Sequence, residues 1–186
     1  MISTSDFRTG LTIELDNNAY QIIDFQHVKP GKGAAFVRAK VKNIKTGQVL
    51  EKTFRAGEKL PPARIDRKTM EFLYEDGLFY HFMDSDTYEQ TAIDRAIVED
   101  IVPFLKENME VQISYYGKEV VSVDLPNTID LKVAQTMPDV RGDTASGGGK
   151  PATLETGAVI TVPFFIKIGD VVRVNTSTGE YITRVQ

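Results

Sequence analysis

Apolar and polar residues alternate at period two along most of the chain. In the first sixty residues the runs LTIEL, YQIIDF, AAFVRAKVKN and QVLEKTF each predict a half-buried strand. Between them, Asp16-Asn17-Asn18, Pro30-Gly31-Lys32-Gly33 and Thr46-Gly47 are turn sequences. Strands this short, joined by turns this tight, predict a small closed barrel rather than βαβ units. Pro61 and Pro62 interrupt both helix and central strand, which places a domain boundary near 60–65.

The pattern then repeats. TMEFLYEDG, LFYHFMD, EVQISYYG and EVVSVDLP read as strands, with hairpin turns at Tyr74-Glu75-Asp76-Gly77 and Tyr116-Gly117-Lys118. Between these strands Ile93, Ile97, Ile101 and Leu105 recur at spacing four, which predicts an apolar helical stripe. Pro103 predicts a break in that stripe, or two short helices rather than one, and Asn108 is the candidate stop. Asp86 or Thr87 is the candidate cap at its start. The last segment opens with the strand TIDLKVAQTMPDV, crosses the small-residue loop RGDTASGGGK, and closes with four strands at short intervals. Five strands around at most one short helix suit the oligonucleotide-binding type of Greek-key barrel. The expected architecture is therefore mainly β, with three small barrels over 1–64, 65–127 and 128–186.

Composition narrows the chemistry. The 186 residues include no cysteine and two histidines, so thiolate sites are excluded and a histidine-based zinc site is disfavoured. No run of 18 apolar residues and no cationic, apolar leader occurs, so the expected location is the cytoplasm, away from any membrane. The formal net charge of -4 conceals an asymmetry. Residues 1–64 carry 11 Lys and Arg against 6 Asp and Glu, whereas residues 65–127 carry 5 against 14. A basic end facing phosphate and an acidic middle facing solvent or basic protein would account for it. No Ser or Cys nucleophile motif appears, and Asp84 with Asp86 lacks the further ligands of a calcium loop. Neither metal nor cofactor is expected, and no residue set supports an enzyme.

The stretch HVKPGKGAAF carries the most specific chemistry. Gly31 and Gly33 can take positive φ, and Pro30 stiffens the entry, so Lys32 stands at the tip of a narrow preset finger. A slim tip lets a lysine enter a crowded cleft, although a hydrated lysine at a soluble hairpin end accounts for the residue equally well. The spacing is not that of a Walker phosphate loop. Lys29, Arg38, Lys40, Lys42 and Lys45 flank the tip. Of these, Arg38, Lys40 and Lys42 share one strand face, where they make either a phosphate-holding stripe or a solvated surface. In the last segment Tyr181 and Arg184 lie close together, as a base-stacking pair or as a core tyrosine beside a surface arginine.

SDFRTGL, VKPGKGAAFVR, EKTFRAGEK and GDTASGGGKPATLETGAVITVPFFIKIGD together resemble the bacterial elongation factor P family. Lys150, Ala152, Gly157, Ile160, Val162, Pro163, Ile166 and Gly169 fill the family's C-terminal signature in order, and the resemblance runs end to end. It implies a KOW/SH3-like barrel and two oligonucleotide-binding barrels in an L shape resembling tRNA. It also implies a monomer acting on the 70S ribosome between the peptidyl-tRNA and exit sites, where it relieves stalling at consecutive prolines. By the same resemblance Lys32 points at the CCA end of the peptidyl-site tRNA, and Gly142, Asp143 and Thr144 approach exit-site mRNA. Tyr181 and Arg184 would contact RNA there. The family often modifies the tip residue, so a Lys32-modifying enzyme is a further partner, with β-lysylation or 5-aminopentanol as the lysine chemistries. A general single-stranded RNA-binding module without a ribosomal task is the competing reading.

Overall fold

The computed structural model describes residues 1–138 and 148–186. Its strands are β1 (Ile2–Ser3), β2 (Thr12–Leu15), β3 (Asn18–Val28), β4 (Phe36–Asn43), β5 (Val49–Arg55), β6 (Lys59–Leu60), β7 (Ile65–Glu75), β8 (Phe79–Asp84), β9 (Gln90–Asp94), β10 (Glu110–Tyr116), β11 (Glu119–Asp124), β12 (Thr128–Thr136), β13 (Lys150–Leu154), β14 (Val159–Val162), β15 (Val171–Asn175) and β16 (Tyr181–Arg184). The architecture is mainly β, as expected. By contacts the chain divides into two units, Met1–Arg67 with Ser114–Ser122, and Lys68–Ile113 with Val123–Gln186.

In the first unit β2, β3, β4 and β5 form an antiparallel sheet in sequence order. The alternation predicted for β4 is realised: Val37, Ala39 and Val41 are buried while Arg38, Lys40 and Lys42 are exposed. Asp16 and Asn17 join β2 to β3 with φ of 50° and 62°. Two successive residues at positive φ make the turn whose twist matches flanking strands, and Asp and Asn tolerate it best. Phe7, Ile13, Ile22, Val37, Val41 and Phe54 fill the core, with Phe7 edge-on to Phe54 at 5.4 Å.

The two later sheets share one topology. One has the order β11-β10-β7-β8-β9, and the other has the order β14-β13-β12-β15-β16. In each, three consecutive strands form a meander and the fourth returns to the far side of the first, the Greek-key order of an oligonucleotide-binding barrel. Met70, Phe72, Phe82, Ile93, Val98, Val111 and Ile113 are buried in the first of these, and Leu131, Leu154, Ile166 and Val172 in the second.

The predicted apolar helix forms only in part. Its first turn is instead β9, which pairs with β8 through Tyr80↔Ile93 and His81↔Ala92. A helix follows over Arg95–Val98 (α1), capped by Asp94, whose Oδ1 accepts from Ala96 N at 2.9 Å. A 3₁₀ turn over Val102–Phe104 comes next, and Pro103 takes an early position that tolerates it. The cap is thus Asp94, not Asp86 or Thr87. Asp84 Oδ1 accepts from Asp86 N and Thr87 N and so fixes the β8–β9 turn. Ile97 is exposed and Val98 is fully buried, so the predicted stripe is not the buried face of α1.

Candidate nucleic-acid interface

β3 and β4 pair up to Val28↔Phe36, past a register shift between Ile22 and Asp24, and residues 29–35 form the loop between them. Residues 29–34 are all exposed. Gly33 has φ +120°, and a Cβ there would sit 3.8 Å from Pro30 Cγ, so space permits a side chain while the backbone does not. Gly31 departs from expectation: it lies outside the positive-φ region and faces open space, so the reversal around Lys32 rests on Gly33 alone. Lys32 forms no ion pair among the described residues, and its ammonium is presented to solvent.

The base of the loop is tightly built. Phe36 pairs with Arg55 across β4–β5, and Ala56 N donates to Ala35 O at 3.2 Å. The turn of residues 55–58 is fastened by Thr4, which is 1% exposed. Thr4 N donates to Glu58 O at 3.0 Å, and Gly57 N donates to Thr4 Oγ1 at 2.8 Å. Glu58 Oε2 in turn accepts from Arg55 N at 2.9 Å. Both the Thr4 clamp and the placement of Arg55 escape sequence reading, since each depends on contacts between segments some fifty residues apart.

The basic stripe shares one face but is not uniformly free. Arg38 Nε lies 3.5 Å from Glu51 Oε1, and its guanidinium lies 5.8 Å from the centroid of the Phe36 ring. Lys40 pairs across the ladder with Asp24 on one side and Glu51 on the other. Together Asp24, Phe25, Gln26, Arg38, Lys40 and Glu51 line a shallow cleft of about 220 Å³. Lys42 has the uncharged neighbours Gln21 and Val49, and Lys45 is ion-paired with Glu119. Lys29, beside the tip, is exposed and forms no ion pair among the described residues.

In the C-terminal sheet the two candidate residues have separate surroundings. Tyr181 packs partly against the core of Leu131, Val162 and Val174, while the Arg184 guanidinium lies over the Phe165 ring at 5.4 Å and 3.9 Å from Asp170 Oδ2. Tyr181 also lines a cleft of about 650 Å³ with Gly149, Thr161, Pro163 and Glu180. Gly149 is required there: a Cβ would fall 2.2 Å from Val162 O. Gly142, Asp143 and Thr144 lie outside the described residues. Lys150, at the start of β13, is 4% exposed and donates from Nζ to Met137 O at 2.6 Å, so this signature position holds the sheet together from inside.

A further electrostatic feature is the β7–β8 turn. Asp76 Oδ2 lies 2.7 Å from His81 Nε2, and Asp76 Oδ1 accepts from Leu78 N and Phe79 N. These bonds, led by that from His81, lower the Asp76 pKa from the ordinary 3.8 to about 2. The Tyr74 ring stacks on His81 at 4.4 Å. This cluster is a turn lock. Among the described residues no group of three His, Asp or Glu side chains could hold a metal ion.

Three family models match the chain in succession. The Elongation factor P (EF-P) KOW-like domain matches residues 3–60, the Elongation factor P (EF-P) OB domain matches 65–123, and Elongation factor P, C-terminal, matches 129–184. Elongation factor P of Pelotomaculum thermopropionicum is 58% identical over 185 residues, which is 100% of both chains. That of Moorella thermoacetica is 55% identical over 184 residues, 99% of this chain and 100% of the relative. Two solved structures share the fold at lower similarity. A translation initiation factor 5A from Methanococcus jannaschii aligns with TM-score 0.54 and 23% identity over 66% of this chain and 94% of its own. A family protein of that factor from Naegleria fowleri aligns with TM-score 0.52 and 17% identity over 67% of this chain and 96% of its own. From its first β-strands to its last, this chain belongs to the elongation factor P family.

Proposed function

We propose that this chain is a translation elongation factor that binds the ribosome between the peptidyl-tRNA and exit sites and restores peptide-bond formation at consecutive prolines. Family membership over the full length supports the ribosomal setting. The observation that carries the mechanism is Lys32: a cation at the tip of an exposed, glycine-fixed loop whose base is fastened by Thr4.

Peptide-bond formation requires the aminoacyl amine to meet the peptidyl ester, and proline's ring restricts both partners. A wandering CCA end seldom reaches that geometry. A tethered ammonium on the RNA backbone narrows the search, and positioning of this kind can supply several kcal/mol of a barrier. Lys32 takes no proton in this reading; it holds an anion in place, and a cavity that excludes bulk water strengthens the attraction. Exposed cations near it, among them Lys29, Arg38, Lys40 and Lys42, hold RNA without reading its sequence. Full exposure also leaves the Lys32 amine accessible to a modifying enzyme that would extend its reach. We read the working parts as the segments 1–64, 65–127 and 128–186, with the C-terminal part, including Tyr181 and Arg184, directed to RNA near the exit site.

The test is a reconstituted translation system lacking the factor, with a Pro-Pro-Pro reporter. Protein in its native modification state should raise full-length product, and Lys32→Ala should abolish the gain while its melting curve stays within about 0.5 kcal/mol of the parent. Tight binding to free single-stranded RNA with no gain on ribosomes would instead establish a general RNA-binding module.

A further inference from the structure

Apart from Lys32 and Lys29, the hairpin end of the first unit carries a third cation without an ionic partner. Arg55 is the last residue of β5 and lies directly across from Phe36, the first residue of β4 after the loop. It is exposed, on the same sheet face as Arg38, Lys40 and Lys42. Several other cations of the first unit are already engaged: Arg38 with Glu51, Lys45 with Glu119, Lys52 with Asp16 and Arg64 with Asp66. Among the described residues the Arg55 side chain has no ion pair or hydrogen bond.

We propose that Arg55 is a second phosphate anchor, holding the backbone of the same RNA strand whose end Lys32 positions. This rests on the ribosomal reading above. Three features carry it. The first is position: Lys32 is four residues from Phe36, at most about 14 Å of extended chain, so tip and base span only a few consecutive nucleotides. The second is rigidity. The Arg55 backbone is fixed from both sides, its N–H by the Glu58 carboxylate and its carbonyl by the Thr4 hydroxyl, while the buried Thr4 holds the rest of the turn. Such a mount leaves only the arginine side chain itself to be ordered on binding. The third is chemistry. The planar fork of arginine matches two phosphate oxygens at once, whereas the tip lysine acts as a point charge that can be slim or extended. Lys42 is also unpaired, but it stands six residues along β4 from Phe36, roughly 20 Å away.

The experiment uses the full-length protein in its native modification state, with Arg55→Gln, Arg55→Lys and Lys32→Ala variants. Prolyl peptide-bond formation is measured against factor concentration at several potassium chloride concentrations, on ribosomes carrying a peptidyl-tRNA that ends in proline. Loss of one charged hydrogen-bonding contact should raise the half-saturating concentration of Arg55→Gln roughly tenfold with the saturating rate retained. The slope of log affinity against log salt should become shallower by about 0.7–0.9, one phosphate contact. Arg55→Lys should restore that slope and part of the affinity. An unmoved half-saturation and slope in Arg55→Gln, while Lys32→Ala abolishes rescue, overturns the anchor and leaves the hairpin reading standing. A lowered saturating rate at unchanged half-saturation overturns it too. Normal rescue by Lys32→Ala would bring down the hairpin reading itself.

Discussion

Substituting alanine at the two loop glycines in turn separates the shape of the tip from the stability of the barrel. Gly33 sits at φ +120°, and a Cβ there meets nothing closer than Pro30 Cγ at 3.8 Å, so any cost is conformational rather than steric contact. Left-handed backbone costs an L-residue roughly 1–2 kcal/mol, and +120° lies beyond the small left-handed well, so this is a lower bound. At 1.4 kcal/mol per tenfold, Gly33→Ala should deplete the native tip geometry by about tenfold or more. Global stability should hardly register it. Residues 29–34 are exposed, so the loop escapes the strain by changing shape, and the unfolding free energy should fall by less than about 1 kcal/mol. Gly31→Ala has ordinary φ and open space, and should be neutral or gain about 0.4–1 kcal/mol through a less free unfolded chain. Urea unfolding and the Pro-Pro-Pro reporter measure the two quantities separately. Rescue should fall at least tenfold at subsaturating Gly33→Ala and stay near parental for Gly31→Ala. Equal damage from both substitutions, or full activity with Gly33→Val, would refute the claim that one backbone angle aims the lysine.

Two further outcomes test the framework. Lys150→Ala should lower stability by roughly 2 kcal/mol in urea unfolding, because it removes both a charged hydrogen bond to Met137 O and a buried stem; an unchanged midpoint would show that this contact does not hold β13 in place. Asp76→Asn should remove a pH-dependent contribution. The folded pKa of Asp76 is depressed from 3.8 to about 2, so its stabilisation is complete above about pH 4 and is lost as pH falls toward 2. Parent and variant should therefore differ at pH 6 and converge by pH 2, and parallel curves through that window would contradict the His81–Asp76 lock.

Period-two alternation and turn chemistry were enough to read β4, the Asp16-Asn17 turn and the five strands of the last segment, because each depends on neighbours in the chain. What failed depended on partners elsewhere. Ile93, Ile97, Ile101 and Leu105 recur at a helical spacing, yet the β8 ladder captures Ile93 in a strand and backbone pairing overrides the pattern. The stripe of Arg38, Lys40 and Lys42 was legible as a face but not as a charge. Glu51 and Asp24, which pair with or oppose it, are set there by the register of β5 and β3. Arg55 was hidden for the same reason. EKTFRAGEK shows an arginine in a β-turn context, and only the Phe36↔Arg55 register brings it to the base of the hairpin.

That register gives the hairpin a geometric logic. The tip cation restrains the RNA end near the reacting centre, and the loop that carries it sets its aim once the factor is bound. A second contact from the same rigid body adds affinity at the base without touching the reacting end. Lys32 at the tip and Arg55 at the base divide these tasks because the β3–β4 loop and the end of β5 are joined at Phe36↔Arg55 above a buried core. The two losses then differ in kind. Without the base contact the factor binds more weakly but is still aimed once bound, so concentration compensates. Without the tip contact the bound factor has nothing at the reacting end, and no concentration restores the rate.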